Sequence, residues 1–215
     1  LTKNYGLGSE SLLDAATELV ERAYAQDSIH EAEATVSLTV NSFVRFADTG
    51  PTQSAERAKV DVHLRVRREE DGQLYEASAT GQSLEEVAMD KLIEQASSIA
   101  AISPALETPL ELGGHVEVCT GTCDAETLTH GPREKAAAIK RALAAAQAVG
   151  ASPAGLFDTT GRAVALANTK GRLVRNETSR ASFALTVTGP SEGGLGGSGW
   201  AETIRSKVGE LDIDG

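Results

Sequence analysis

The chain has 215 residues, with 20 Lys and Arg against 31 Asp and Glu for a net charge of −11, and is 40% apolar and 4% aromatic. That length suits one large domain or two small ones, and the apolar content excludes a disordered chain. The acidic balance excludes a protein that coats nucleic acid through its overall charge. The charge is nevertheless uneven: residues 131–180 hold nine basic and three acidic side chains, net +6, which leaves −17 on the rest. No stretch approaches the roughly 18 apolar residues of a membrane span, and the N-terminus lacks the pattern of a signal peptide, so the protein reads as cytoplasmic. Opening at Leu1 rather than Met and stopping at Ile213-Asp214-Gly215, it reads as a piece of something longer.

Behind Ser11, a good N-cap, Leu12, Ala16, Leu19, Val20 and Ala23 recur with helical period to about residue 25. From Glu33 the period becomes two, with Ala34, Val36, Leu38, Val40, Val44 and Phe46 on one side of a long strand. Val60, Val62, Leu64 and Val66 alternate likewise, and Asp71-Gly72 turns the chain into a third antiparallel strand over residues 74–80. Ser83-Leu-Glu-Glu86 reads as a capping box that opens a second helix, which Ser103-Pro104 stops.

Residues 103–131, rich in Pro and Gly and without periodicity, read as a linker between two units, 1–102 and 132–215. Pro132 then starts an Ala-rich helix that Gly150 ends, and residues 156–168, 172–175 and 182–188 are candidate strands. The order helix, strand, strand therefore recurs. Offsets of 120, 121 and 125 place Ala47 on Ala167, Leu64 on Leu185 and Tyr75 on Trp200, as two copies of one α+β unit would. The expected fold class is α+β: two similar halves, each an antiparallel sheet with amphipathic helices packed on one face.

Catalytic anchors are missing. His30-Glu31 begins a helical zinc motif, but Ala34 and Thr35 stand where its second His belongs. Cys119 and Cys123, with His115 and His130, have the right chemistry for zinc and none of its familiar spacings, so two reduced thiols are the expectation. Gly194-Leu-Gly196-Gly-Ser-Gly199 fits a dinucleotide fingerprint only in letters, because no helix pattern follows it. No catalytic, metal or cofactor-binding residue is assigned. Arg162, Arg172 and Arg175, in the basic stretch, and Trp200 are the candidates for peptide or partner contact. The lone Trp200 is expected to fill core volume at the mouth of a hairpin, with an exposed, peptide-contacting Trp as the rival.

Arg45-Phe-Ala-Asp-Thr49, Ala77-Ser-Ala-Thr80, Ala167-Asn-Thr-Lys-Gly171, Thr178-Ser179 and Gly199-Trp-Ala201, in this order of elements, resemble the N-terminal part of the TldD/PmbA family. The likeness covers most of residues 10–205. It implies a chain about twice as long, with zinc held in a C-terminal half or a partner chain rather than here. The Ala-Asn-x-x-Gly and Gly-x-x-Trp phrases resemble the PmbA branch, also called TldE, whose members pair with a zinc-bearing TldD subunit. The resemblance thus implies a non-catalytic subunit of a homo- or hetero-oligomer that supports hydrolysis of peptides or unfolded protein, without membrane or direct nucleic-acid contact. The alternative is a stand-alone duplicated binding or assembly module for an acidic partner, with no proteolytic role.

Overall fold

The computed structural model describes residues 8–121, 123–189 and 196–213. Its elements are α1 (Ser9–Tyr24), β1 (Glu31–Ala47), β2 (Gly50–Glu70), β3 (Gln73–Gly81), α2 (Glu86–Ile102), β4 (Val116–Thr120), α3 (Ala125–Thr129), α4 (Pro132–Ala148), β5 (Ser152–Asn168), β6 (Arg172–Thr188) and β7 (Ser198–Arg205), followed by a 3₁₀ turn at Val208–Glu210. The fold is α+β, and the half-sheets join edge to edge through β1 and β5 into one sheet. The strand order is β3-β2-β1-β5-β6, with β4 and β7 each pairing β6. All these pairs are antiparallel except β4 with β6.

Period-two patterning decides which side each residue serves. Ala32, Ala34, Val36, Leu38, Val44 and Phe46 of β1 and Phe157, Ala163, Ala165 and Ala167 of β5 are buried. They face the helices. One cluster packs Leu19 of α1 and Ile93 of α2 on Val36 and Leu64, and a second packs Ile139 of α4 on Phe46, Phe157 and Phe183. Phe46 stacks on Phe183 at 5.6 Å and Phe157 meets it edge-on at 5.7 Å, so three of the four Phe residues fill this second cluster. α3 meets the same side, where Asp124 at its N-cap donates its backbone N–H to Ser179 Oγ. Among the described residues all four helices therefore lie on one face.

Several local expectations change. α1 starts at Ser9 with Gly8 as N-cap, and Ser11 instead donates its hydroxyl to the Gly8 carbonyl. The capping box does not form: Glu85 is the N-cap of α2, and Ser83 Oγ accepts from the Glu85 N–H two residues on, a local turn competing with the helix. β2 begins at Gly50, ten residues before its alternation, and 172–188 is one strand. The stretch read as a linker holds β4 and α3. The Asp71-Gly72 turn stands as expected, with φ of 51° and 73°.

β2 and β6 flank the central β1–β5 pair, and β3 and β7 lie outside them. The expected residue equivalences need correction, however. Ala167 is buried on the helix side, whereas Ala47 follows buried Phe46 and faces away, so Phe46 is the match in orientation, at 167 − 46 = 121. If Leu64 corresponds to Leu185, Thr186 corresponds to Arg65, whose neighbour on β3 is Ser78. Trp200, the neighbour of Thr186, then takes the place of Ser78 rather than Tyr75.

Candidate functional site: the uncovered face of the sheet

With the described helices on one side, the other face of the sheet carries the residues of opposite parity, which are mostly polar, with Phe43, Leu156, Val164, Leu166 and Val174 among the exceptions. At one end, Arg67 lies buried between Glu31 (3.0 Å) and Glu76 (2.7 Å), while Lys170 reaches Glu31 at 2.7 Å. Burial works against the Glu31 carboxylate, but hydrogen bonds from Lys170 and Arg67 outweigh it and hold the pKa below the usual range. For Arg67 burial is likewise opposed by Glu76 and Glu31, and its pKa is raised. Beside them Arg65 pairs with Glu33 at 2.7 Å.

The segment between α2 and β4 straps this end. Leu106 N–H donates to the Leu74 carbonyl on β3, and Asn168 Nδ2 at the end of β5 donates to the Gly113 carbonyl. Gly113 admits the Arg172 guanidinium, which a Cβ there would meet at 1.8 Å. Next along the face lies a shallow depression of about 390 Å³ lined by Thr35, Ser37, Asp61, His63, Thr80 and Gln82.

Beyond it the face turns cationic. Thr39 of β1 pairs with Lys59 on one side and Arg162 on the other, and Asn41 with Arg57 and Thr160. Thr160 is followed across the sheet by Arg180, which meets the buried Asp158 at 3.2 Å. Asp158 also accepts from Ser182 Oγ at 2.8 Å. Arg45 and Arg57 lie over the Phe43 ring, 5.7 and 5.5 Å from its centroid. At the β7 edge, Trp200 is 66% exposed opposite Thr186.

Of the four residues singled out by sequence, Arg162, Arg172 and Trp200 share the uncovered face but are spread along it. Arg175 points to the helix side, toward Glu10 of α1 at 3.8 Å. The core role expected for Trp200 is corrected: Phe46, Phe157 and Phe183 fill the space beneath α4, and Trp200 alternates out of it on an edge strand. Phe43, Arg45, Arg57 and Lys59 escaped the sequence reading, because only strand pairing brings 57 and 59 beside 39 and 41.

Residues 129–214 match the family model of the PmbA/TldA metallopeptidase central domain. Over that stretch the chain is similar to the TldD/PmbA family. No curated protein matches it. Its fold is that of TldE from Thermococcus kodakarensis, with a TM-score of 0.76 at 18% identity over 93% of this chain and 45% of that one. Proposed modulators of DNA gyrase share it: one from Thermotoga maritima has a TM-score of 0.74 at 17% identity, over 94% and 45% of the two chains. Another, from Bacteroides thetaiotaomicron, has 0.72 at 14%, over 94% and 46%. The chain spans less than half the length of these solved relatives.

The metallopeptidase name raises the question of zinc, and the residues here do not fit it. Cys123 Sγ donates to the Thr178 carbonyl, and its thiol pKa is pushed up by burial and by Glu177. Cys119 is exposed on β4, His115 lies beside Gly171, and His130 packs against Phe157. Among the described residues no three His, Cys, Asp or Glu side chains converge. His30 is at the mouth of β1 near Glu69, and its neighbour Glu31 is engaged by two cations. The Gly-rich fingerprint falls partly outside the described residues, and its last two residues, Ser198 and Gly199, open β7 rather than a helix. Among the described residues no helix is long and apolar enough to cross a membrane.

Proposed function

We propose that this chain is the N-terminal region of a cytoplasmic, PmbA/TldE-like subunit, which carries no catalytic centre of its own and supports peptide hydrolysis by a zinc-bearing TldD-type partner. The observation that carries the reading is the polar face of the sheet, left uncovered by all four helices. Hydroxyl and amide side chains such as Thr35, Ser37, Thr39, Asn41, Thr160 and Thr178 alternate along it. Such a wall suits a chamber through which extended polypeptide passes, because most of it offers hydrogen bonds and its apolar side chains, such as Val164, Leu166 and Val174, are half-buried. The units 1–102 and 132–215 form the two sides of that wall.

The test is reconstitution. The chain alone should leave an unfolded peptide intact, whereas a zinc-bearing TldD-type subunit should bind it and cleave the peptide in a chelator-sensitive way. Chelator-insensitive cleavage by this chain alone, or no association with any such subunit, would overturn the proposal.

A further inference from the structure

We infer that the cationic part of the uncovered face binds an extended polypeptide segment bearing spaced carboxylates. Two guanidiniums carry the argument. Lys59 is paired with Asp61 at 2.7 Å and Arg180 with Asp158, but among the described residues no carboxylate pairs with Arg57 or Arg162. Both are exposed, in a chain with eleven more acidic than basic side chains. Arg57 is held over the Phe43 ring, which lowers the ordering cost of presenting its donors, and guanidinium binds carboxylate in a two-bond fork.

Their spacing selects the ligand's shape. Arg57 and Arg162 lie on strands either side of β1 and two residues apart in register, since Asn41 pairs with both Arg57 and Thr160. Strand spacings of ~4.8 Å and rises of ~3.4 Å put their Cα atoms about 12 Å apart. In an extended segment same-side residues recur every two positions, so residues i and i+4 share a side about 14 Å apart and acidic side chains there can meet both. The retained acids Asp61 and Asp158 oppose a continuous phosphate backbone, and the adjoining Phe43 suits side chains rather than sugar and phosphate. Polypeptide is therefore favoured over nucleic acid.

This deepens the chamber-wall reading by naming the class of polypeptide that the wall prefers, and its test needs no proteolytic partner. Fluorescence anisotropy would compare the 215-residue chain with three labelled peptides: Glu every fourth position in a Ser background, and the same peptide with Gln or with Lys. The Glu peptide should bind at least about tenfold more tightly than the Gln peptide and weaken as salt rises. Arg57→Gln with Arg162→Gln should abolish that preference with an unchanged thermal melt, while Lys140→Gln, on the exposed side of α4, should keep it. Equal affinity for Glu and Gln peptides, a preference that survives the double variant, or equal binding of a single-stranded DNA of the same charge would overturn the inference. Loss of hydrolysis in reconstitution with intact Glu-peptide binding would instead overturn only the proteolytic role.

Discussion

Lys135 Nζ donates to Ser42 Oγ at 2.9 Å and so ties α4 to β1 across the helix-covered side of the sheet. Thr159 Oγ1 and the His130 carbonyl accept its other two protons, so all three donors of a fully buried ammonium are used. Burial nonetheless pushes its pKa down to about 8, against the pull of Glu56, Asp158 and Glu134. The His130 pKa is lowered too, by burial and then by the Lys135 charge.

The native state thus holds the Lys135 proton less tightly than the unfolded chain does. The cost of burying the charge is in full force below pH 8 and is relieved as pH rises from about 8 toward 10.5. Relative to Lys135→Met, the wild-type chain should gain up to about 1.4 kcal/mol of stability per pH unit in that window. Urea melts of both proteins at pH 7 and pH 9.5 measure this. A difference that stays the same at the two pH values would mean that the amine titrates normally.

Arg67 should be the costliest charge to remove. Arg67→Met leaves Glu31 and Glu76 facing each other at the strapped end of the sheet, and breaking a buried pair in this way costs about 3–5 kcal/mol. The Glu31 pKa is held low in the folded state, so its contribution is present above the ordinary carboxylate pKa and is lost as pH falls through the lowered folded value. Melts at pH 7 and in acid should show the defect of Arg67→Met shrinking in acid, where the stranded carboxylates take up protons. A defect as large in acid as at pH 7 would assign the loss to packing.

Gly155 is a close-approach position. A Cβ there would lie 2.2 Å from the Ala184 carbonyl oxygen and 2.5 Å from Phe46 Cζ, and Phe46 is itself stacked on Phe183. Gly155→Ala should lose at least about 1–3 kcal/mol through displaced backbone and ring. Gly114→Ala, where a Cβ meets nothing within 4 Å, is the control and should be near neutral. Equal midpoints for the two variants would show that β5 and β6 separate at little cost.

Where one face was buried, the sequence was legible. Val36 and Leu38, or Val62 and Leu64, alternate with polar residues because one side meets α1 and α2 and the other does not. The first half of β2 gave no such signal: residues 51–54 and 56–59 are exposed, so nothing selects apolar side chains there and only pairing with β1 defines the strand. The cationic site was hidden for the same reason. Arg57 and Arg162 are 105 positions apart in sequence (162 − 57), and only the β1–β5 junction brings their strands to either side of Asn41. Arg175, three residues from Arg172 in the same basic run, faces the opposite way because three is an odd step along a strand.

Trp200 shows how far composition can mislead. A lone Trp in a chain with 4% aromatic residues is most economically spent in a core, yet here it stands 66% exposed on the edge strand β7. Trp200→Ala should therefore shift stability by no more than about 0.5 kcal/mol, the usual range for a surface substitution. Because it is the only Trp, its fluorescence reports this side chain alone: emission should be red-shifted and quenched by iodide in the native protein. Thr186, the neighbour of Trp200 on β6, lies six residues along that strand from Arg180, so Trp200 is remote from Arg57 and Arg162 and the Glu peptide should bind the variant as tightly as the wild type. A loss of about 3–5 kcal/mol on truncation, with blue-shifted, unquenchable emission in the wild type, would return the indole to the core.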